Sequence, residues 1–154
     1  MSGQSLERVL QNRNLKLPLP PKPVGSYRPL ILSGGVVYLS GQISKDAEGK
    51  IMTGKMGKDL TLEEGKRAAE LAVLQAVSLI RKQVGLKKVR QILKMTGFVQ
   101  SADHFYAQSD VMNAASELLV EIFGESGRHT RTTIGAASLP LNAVVEVELT
   151  LKLR

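Results

Sequence analysis

The chain of 154 residues contains no cysteine and no tryptophan. The lack of cysteine excludes disulfide bonds, a thiolate nucleophile and cysteine-ligated metals, and it is typical of a cytoplasmic protein. The two histidines, His104 and His129, do not have the spacing of a metal-binding pair on one helix. We therefore expect a cytoplasmic protein without a metal site.

Long apolar runs are missing as well. No stretch approaches the length that spans a bilayer, and Met1–Leu17 lacks the uninterrupted apolar core of a secretory signal. Hydrophobic residues make up 43% of the chain and charged residues 23%, which is ordinary for a soluble globular protein. At this length we expect one domain with its own hydrophobic core.

Acidic residues are outnumbered by basic ones, and the net charge is +7. This balance favours anionic partners but does not determine the fold. The densest basic run, from Arg81 to Arg90, could contact nucleic acid or could be a solvated helix end. Aromatic residues, which stack on single-stranded bases, are few, and none lies in this run. The sequence therefore favours a helix end, and we expect no nucleic-acid partner.

Residues 1–26 are predicted to form an N-terminal extension that is partly extended and rich in proline. A short helical turn could present one apolar side, formed by Leu6, Val9 and Leu10. Four of the six prolines follow within residues 18–23, where we expect a polyproline-like course over a surface. Residues 27–154 are predicted to form a single domain.

This domain is predicted to contain two helices and five strands. Two apolar runs flank Ser33–Gly35, which predicts a hairpin because glycine accepts positive φ. Thr61 and Glu64 form a capping box at the start of the first helix, and Gly85 is a natural stop. The other predicted segments are a polar loop at 44–58, strands at 89–99, 132–138 and 143–153, and a helix at 109–123 that ends before Gly124. The order β-β-α-β-α-β-β is economical as an α+β fold, a mixed sheet with two helices on one face.

The last predicted strand alternates strictly between two sets of side chains. One set contains Val145, Val147, Leu149, Leu151 and Leu153, and the other contains Val144, Glu146, Glu148, Thr150 and Lys152. The apolar set should face the helices, and the polar set should face water, a partner subunit or a site.

Two charged side chains near the end of the chain are candidates for chemistry. Arg131 could bind a carboxylate through the planar fork of its guanidinium, or it could be an ordinary exposed arginine. Glu146 could activate a water if its surroundings raise its pKa, or it could lie on the solvated face of an edge strand, and the same holds for Glu148. A plain hairpin around Pro140 would not place Arg131 opposite Glu146. A shared site would therefore need a pocket formed by more than this hairpin, for example at a subunit boundary.

Several segments together resemble the RidA/YjgF family of reactive-intermediate (enamine/imine) deaminases. The resemblance runs from about Val24 to the C-terminus. The matching pieces are Gly25–Tyr27, Tyr38–Gln42, Asn113, Thr130–Thr132, Leu139-Pro140 and Val145–Glu148. The N-terminal extension and the long loop at 44–58 indicate a divergent, longer-chain branch.

The resemblance implies a chorismate-mutase-like α+β fold and a homotrimer with three sites in the clefts between subunits. It implies that Arg131 binds the substrate carboxylate and that Glu146 positions or activates the attacking water. The implied pocket residues are Tyr27, Ser40, Gly41, Asn113 and Thr133. The implied reaction hydrolyses 2-imino acids, formed from enamines such as 2-aminoacrylate, to 2-keto acids and ammonia. It needs neither a metal nor an organic cofactor.

Two positions depart from the deaminase pattern of this family. Thr133 stands where the deaminases often have cysteine, and Gly135 stands where the best-studied ones often have glutamate. These departures favour a second function, a regulatory trimer that binds a small carboxylate without turnover. A third function, an endoribonuclease or translation inhibitor, has the basic charge as its sole support.

Overall fold

A computed structural model describes residues 5–154, so the first four residues of the predicted extension lie outside the described part. The helices are α1 (Leu6–Asn12), α2 (Leu62–Gln83) and α3 (Gln108–Phe123), and the strands are β1 (Leu30–Ser33), β2 (Val36–Leu39), β3 (Gln42–Ile43), β4 (Val89–Gln100), β5 (Thr130–Ala136) and β6 (Val145–Leu153). The predicted α+β class is confirmed, and the two-residue β3 is an addition to it. Within the described residues, no helix is long and apolar enough to cross a membrane.

The six strands form one mixed sheet in the order β1-β2-β6-β4-β5, and β3 also pairs with β6. All of these pairs are antiparallel except β4 with β5, which run parallel and are joined through α3. Since β4 lies between β5 and β6, the plain hairpin considered for the last two strands is wrong. Their connection instead turns through Leu141 and Asn142, which have φ angles of 57° and 58°, and brings the chain past β4.

The start of α2 and the ends of both long helices lie where the local sequence predicts them. The Thr61 hydroxyl accepts from the Glu64 N–H, and the Glu64 carboxylate accepts from the Thr61 N–H at 2.7 Å, which confirms the capping box. Gly85 and Gly124 follow α2 and α3 with φ angles of 95° and 63°, in the region that favours glycine. Both predicted stops are therefore confirmed.

The helices α2 and α3 cover one face of the sheet, and the core lies between them and the strands. The apolar set of β6 is buried there, as its alternation predicts: Val145, Val147, Leu149 and Leu151. We call the opposite side of the sheet the open face. On it, Ile31, Tyr38 and Ile134 are each about half exposed.

The first helix, α1, joins the same core. Its Leu6 and Val9 are buried, which agrees with the apolar side predicted for a helical turn. Arg13, directly after α1, binds both carboxylate oxygens of Glu121 on α3 and one oxygen of Glu70 on α2. These bonds fix α1 against the two long helices.

The proline-rich segment after α1 is extended and runs over α2. The Ser78 hydroxyl of α2 donates to the Pro18 carbonyl at 2.7 Å. Further on, Leu19 and Val24 are largely exposed, and the segment reaches β1 without forming a helix or strand. The predicted path over a surface therefore holds for residues 19–24, whereas Leu15 is buried and Leu17 packs against the core.

Candidate functional site

The register of the sheet decides which way the two candidate charged side chains point. Residues directly opposite on neighbouring strands share a face of the sheet. Arg131 of β5 is opposite Met95 of β4, which is opposite Leu149 of β6, and the last two are buried under the helices. Glu146 is opposite Phe98 of β4. Side chains alternate between the two faces along a strand, so Phe98 and Met95 point to opposite faces. Arg131 therefore points to the helix side of the sheet, and Glu146 points to the open face.

The sheet separates the predicted site residues into two groups. Strand β4 lies between β5 and β6, so the strands that carry Arg131 and Glu146 are about 10 Å apart. Asn113 and Thr133 belong to the Arg131 side, whereas Tyr27 and Gly41 belong to the Glu146 side. One chain does not bring Arg131 and Glu146 together.

On the helix side, Arg131 is held by neutral groups of α3. Its guanidinium donates to the Asn113 amide oxygen at 3.0 Å and to the Ser116 hydroxyl at 3.1 Å, with a longer contact of 3.5 Å to the Ser109 carbonyl. Within residues 5–154, Arg131 forms no salt bridge with a carboxylate. The guanidinium is thus oriented while its charge remains available to an anion.

A hydrogen-bonded chain behind Arg131 fixes this orientation. Because a carbonyl can only accept, the His129 Nδ1–H donates to the Gly127 carbonyl at 2.6 Å. The His129 Nε2 then accepts from the Ser116 hydroxyl at 3.0 Å, and the Ser116 oxygen accepts from Arg131. Burial lowers the pKa of His129, and the positive charge of Arg131 lowers it further. The hydrogen bond to the Gly127 carbonyl acts in the opposite direction but does not cancel these effects. Burial and the Arg131 charge both favour the neutral ring, whose Nε2 accepts the Ser116 hydroxyl proton.

Sequence reasoning found Asn113 but missed Ser116 and the role of His129. Asn113 and Ser116 are three residues apart and lie on one side of α3. That spacing is the signal that could have paired them. It becomes informative once α3 is known to pack beside β5.

The two positions that depart from the deaminase pattern share the face of Arg131. The Thr133 hydroxyl is buried and has no hydrogen-bond partner within residues 5–154. At Gly135, a Cβ would lie 2.7 Å from the Gln108 amide nitrogen, which donates to the Phe105 carbonyl at 2.7 Å. Gln108 therefore occupies the space that a side chain at position 135 would need.

On the open face, Glu146 borders a cleft of about 350 Å³, which we call the Glu146 cleft. Of the predicted pocket residues, Tyr27 and Gly41 line it with Glu146. A Cβ on Gly41 would lie 2.9 Å from the Glu146 carboxyl carbon, so only glycine leaves this carboxylate undisturbed. Ser40 instead donates its hydroxyl to the Arg28 carbonyl at 2.6 Å, which fixes the adjoining loop.

The electrostatic setting of Glu146 favours its protonated form more than water would. Burial raises the pKa of Glu146, and the neighbouring charge of Glu148 raises it further. The Glu146 side chain forms no hydrogen bond or ion pair within the described residues. A carboxylate with a raised pKa binds a proton more strongly than a solvated one, which suits it to general acid–base chemistry. Across residues 5–154, no three His, Asp or Glu side chains cluster as metal ligands would.

Two further features of the Glu146 cleft were not predicted from the sequence. The segment Pro21–Val24 forms one of its walls, and Gln75 of α2 lies among its lining residues although it is 1% exposed. Proline runs and a glutamine within an apolar helix carry no sequence signal for a binding site. Their role depends on how the extension crosses α2.

Comparison with known proteins agrees with this architecture. A family described as "YjgF/chorismate_mutase-like, putative endoribonuclease" matches residues 7–153. Protein TCP17 of Trypanosoma cruzi is 40% identical over 94% of this chain and 91% of its own length. A 2-iminobutanoate/2-iminopropanoate deaminase of Dermatophagoides farinae is 31% identical over 88% of this chain and 92% of its own.

Among solved structures, a Shewanella oneidensis protein that carries the same endoribonuclease description superposes with a TM-score of 0.90. It is 32% identical, and the match covers 97% of this chain and 99% of that protein. The fold is therefore the chorismate-mutase-like α+β fold that the sequence motifs implied. With the family match extending over nearly all of the described residues, the chain belongs to the RidA/YjgF family.

Proposed function

We propose that the protein is a cofactor-independent hydrolase of 2-imino acids, formed from enamines such as 2-aminoacrylate, which it converts to 2-keto acids and ammonia. The observation that carries the proposal is Glu146, a half-buried carboxylate without a partner at the edge of a cleft, with a raised pKa. A group of this kind suits general acid–base catalysis. The deaminase activity named for the Dermatophagoides farinae relative points to the same chemistry.

The proposed reaction uses one cation and one proton carrier. Arg131 binds the carboxylate of the 2-imino acid, and Glu146 takes a proton from water as the water oxygen bonds to the imine carbon. Glu146 passes that proton to the imine nitrogen, which yields a carbinolamine. Glu146 then takes the hydroxyl proton and delivers it to the nitrogen, the C–N bond breaks, and ammonia leaves as the ketone forms. The protein supplies orientation and electrostatic stabilisation.

We further propose that each site forms between two subunits of a homotrimer, with Arg131 from one and Glu146 from its neighbour. Support comes from the separation of the two side chains on opposite faces of the sheet. The open face also offers the apolar residues that a subunit contact would bury. They include Ile31, Tyr38 and Ile134, which are 54%, 52% and 46% exposed.

Mixed oligomers of two inactive variants test the reaction and the shared site together. Arg131→Ala and Glu146→Gln, each alone, should lose ammonia release from freshly generated 2-aminoacrylate. Co-refolded in equal amounts, they should regain about one quarter of wild-type activity, because a boundary is competent only when each neighbour supplies its intact residue. Co-refolding with no recovery, although mixed oligomers form, would refute the shared site. Unchanged activity of Arg131→Ala would refute the proposed reaction.

A carboxylate-binding trimer without turnover is the main competing function. The buried, unpartnered Thr133 hydroxyl beside Arg131 favours it, since this group can bind an anion without any role for Glu146. In that case, Glu146→Gln would leave ligand binding unchanged and the wild type would release no ammonia. Ammonia release that depends on Glu146 excludes this alternative.

The endoribonuclease description of the relatives finds less support in the geometry. A histidine acid–base pair needs both rings at one site. His129 is bound to the Gly127 carbonyl and to Ser116, near the start of β5. His104 borders a groove with Gly135, which is about 20 Å further along that strand. If RNA cleavage persists in Arg131→Ala and follows contaminants during purification, the ribonuclease activity does not belong to this protein.

A further inference from the structure

We propose that the Glu146 cleft contains a side-chain subsite, with Gln75 at its floor and Pro21–Val24 as a wall. This subsite would select 2-imino acids with a long, neutral side chain that ends in a hydrogen-bond donor. The inference rests on the proposed function, because it places the reacting carbon beside Glu146. It concerns the substrate class, which Arg131 and Glu146 alone do not determine.

The chemistry of the substrate directs its side chain into this cleft. The imine carbon carries a carboxylate, a nitrogen and a side chain. With the carboxylate on the neighbouring subunit's Arg131 and the attacking water on Glu146, the space on this chain that can hold the side chain lies next to Glu146. That space is the Glu146 cleft, whose volume of about 350 Å³ is far larger than a methyl or ethyl group requires.

Gln75 gives the floor of the cleft an unused hydrogen-bond acceptor. Its amide nitrogen donates to the Lys45 carbonyl at 2.7 Å, and since a carbonyl can only accept, this bond fixes the amide orientation. The amide oxygen is left buried with no partner within residues 5–154. An unpaired buried acceptor destabilises the fold, so a ligand donor that reaches it would recover free energy.

The wall formed by residues 21–24 can move to admit a long side chain. It is formed by Pro21, Lys22, Pro23 and Val24, and the two prolines have no N–H to compete for a ligand. Residues 19–27 form no hydrogen bond within the described chain, whereas Pro18 on one side is held by Ser78. The wall can therefore move outward and uncover the Gln75 oxygen without breaking a hydrogen bond.

Charge and polarity restrict the end of the side chain. Lys22 and Lys45 line the cleft, so a cationic tip is repelled. An anionic tip would be attracted by these lysines, but it has no hydrogen to donate to the Gln75 oxygen and would lie near the Glu146 carboxylate. A neutral donor, such as a hydroxyl or a carboxamide, is the class that satisfies Gln75 without either repulsion.

Calorimetric titration of the oligomer with simple carboxylates tests the subsite apart from catalysis. The probes are alkanoates of increasing length and the matching ω-hydroxyalkanoates. At one length, the hydroxylated probe should bind about fivefold more tightly than the plain one. Gln75→Met should abolish this preference, while Gln83→Met, at an exposed glutamine of the same helix, should retain it.

Each outcome decides between the two proposals. If carboxylates bind through Arg131 but the hydroxyl preference is absent, or survives in Gln75→Met, the subsite is refuted and the proposed function is unaffected. If no carboxylate binds, both are refuted. Should Gln75→Met fold poorly, the double variant Pro21→Gly/Pro23→Gly provides an independent readout. It should weaken the longest probes severalfold and leave butanoate unchanged, and an equal effect on both would refute the wall.

Discussion

Gly41→Ala should move the Glu146 carboxylate and slow the proposed imine hydrolysis about 100-fold. The alanine Cβ would lie 2.9 Å from the Glu146 carboxyl carbon and 3.2 Å from its Cγ, closer than ordinary van der Waals contact. The clash falls on a side chain rather than on backbone, so the carboxylate rotates away and the fold is retained. Misplacing a catalytic group by about 1 Å costs a factor near 100, or about 2.7 kcal/mol of transition-state stabilisation.

The assay is ammonia release from freshly generated 2-aminoacrylate, alongside thermal unfolding. Gly34→Ala is the matched control, since a Cβ there meets no atom within 4 Å and adds only the strain of its φ of +56°. This control should lose some stability and keep its activity. If Gly41→Ala melts like the wild type and works within twofold of its rate, Glu146 does not act from the position described above.

Two further predictions concern the charges around the site. The rate should rise as the pH passes the raised pKa of Glu146, because the ionised form of this carboxylate is the active base. Glu148→Gln removes a charge that raises the Glu146 pKa, so the kcat/KM profile should shift to lower pH. An unshifted profile would mean that another group controls the rate. Ser116→Ala should raise KM several-fold and leave kcat nearly unchanged, since Arg131 loses one bond that orients it, and Ser116→Thr should restore KM. A fall in kcat as large as the rise in KM would contradict an orienting role for Ser116.

The helices could be predicted from the sequence because their limits are local. Thr61 and Glu64 are three residues apart, and Gly85 and Gly124 act on their own turns. The position of β4 between β5 and β6 was missed because strand partners are distant in the chain, and the Leu139-Pro140 break looks like a hairpin turn. The alternation of β6 predicted its faces correctly, since that depends on one strand alone.

The candidate site was only partly accessible from the sequence. Arg131 and Glu146 were found through a hairpin-like motif and a resemblance to a known family, but their opposite faces follow from pairing with β4. Gln108 and Gln75 gave no signal, because an isolated glutamine is typical of any helix. What each does depends on a neighbour brought close by the fold: Gly135 for Gln108, and the Lys45 carbonyl for Gln75.

The central position of β6 has a consequence for how the protein is made. β6 is the last strand along the chain, yet it lies between β2 and β4 and joins the two halves of the sheet. Before β6 is synthesised, the β1–β2 hairpin and the β4–α3–β5 unit therefore lack the strand that pairs with both of them. Arg13 likewise cannot bind Glu121 until that residue, 108 positions further along the chain, has been synthesised. The sheet cannot close until β6 has been synthesised, and until then β2 and β4 each present an unpaired edge that can aggregate.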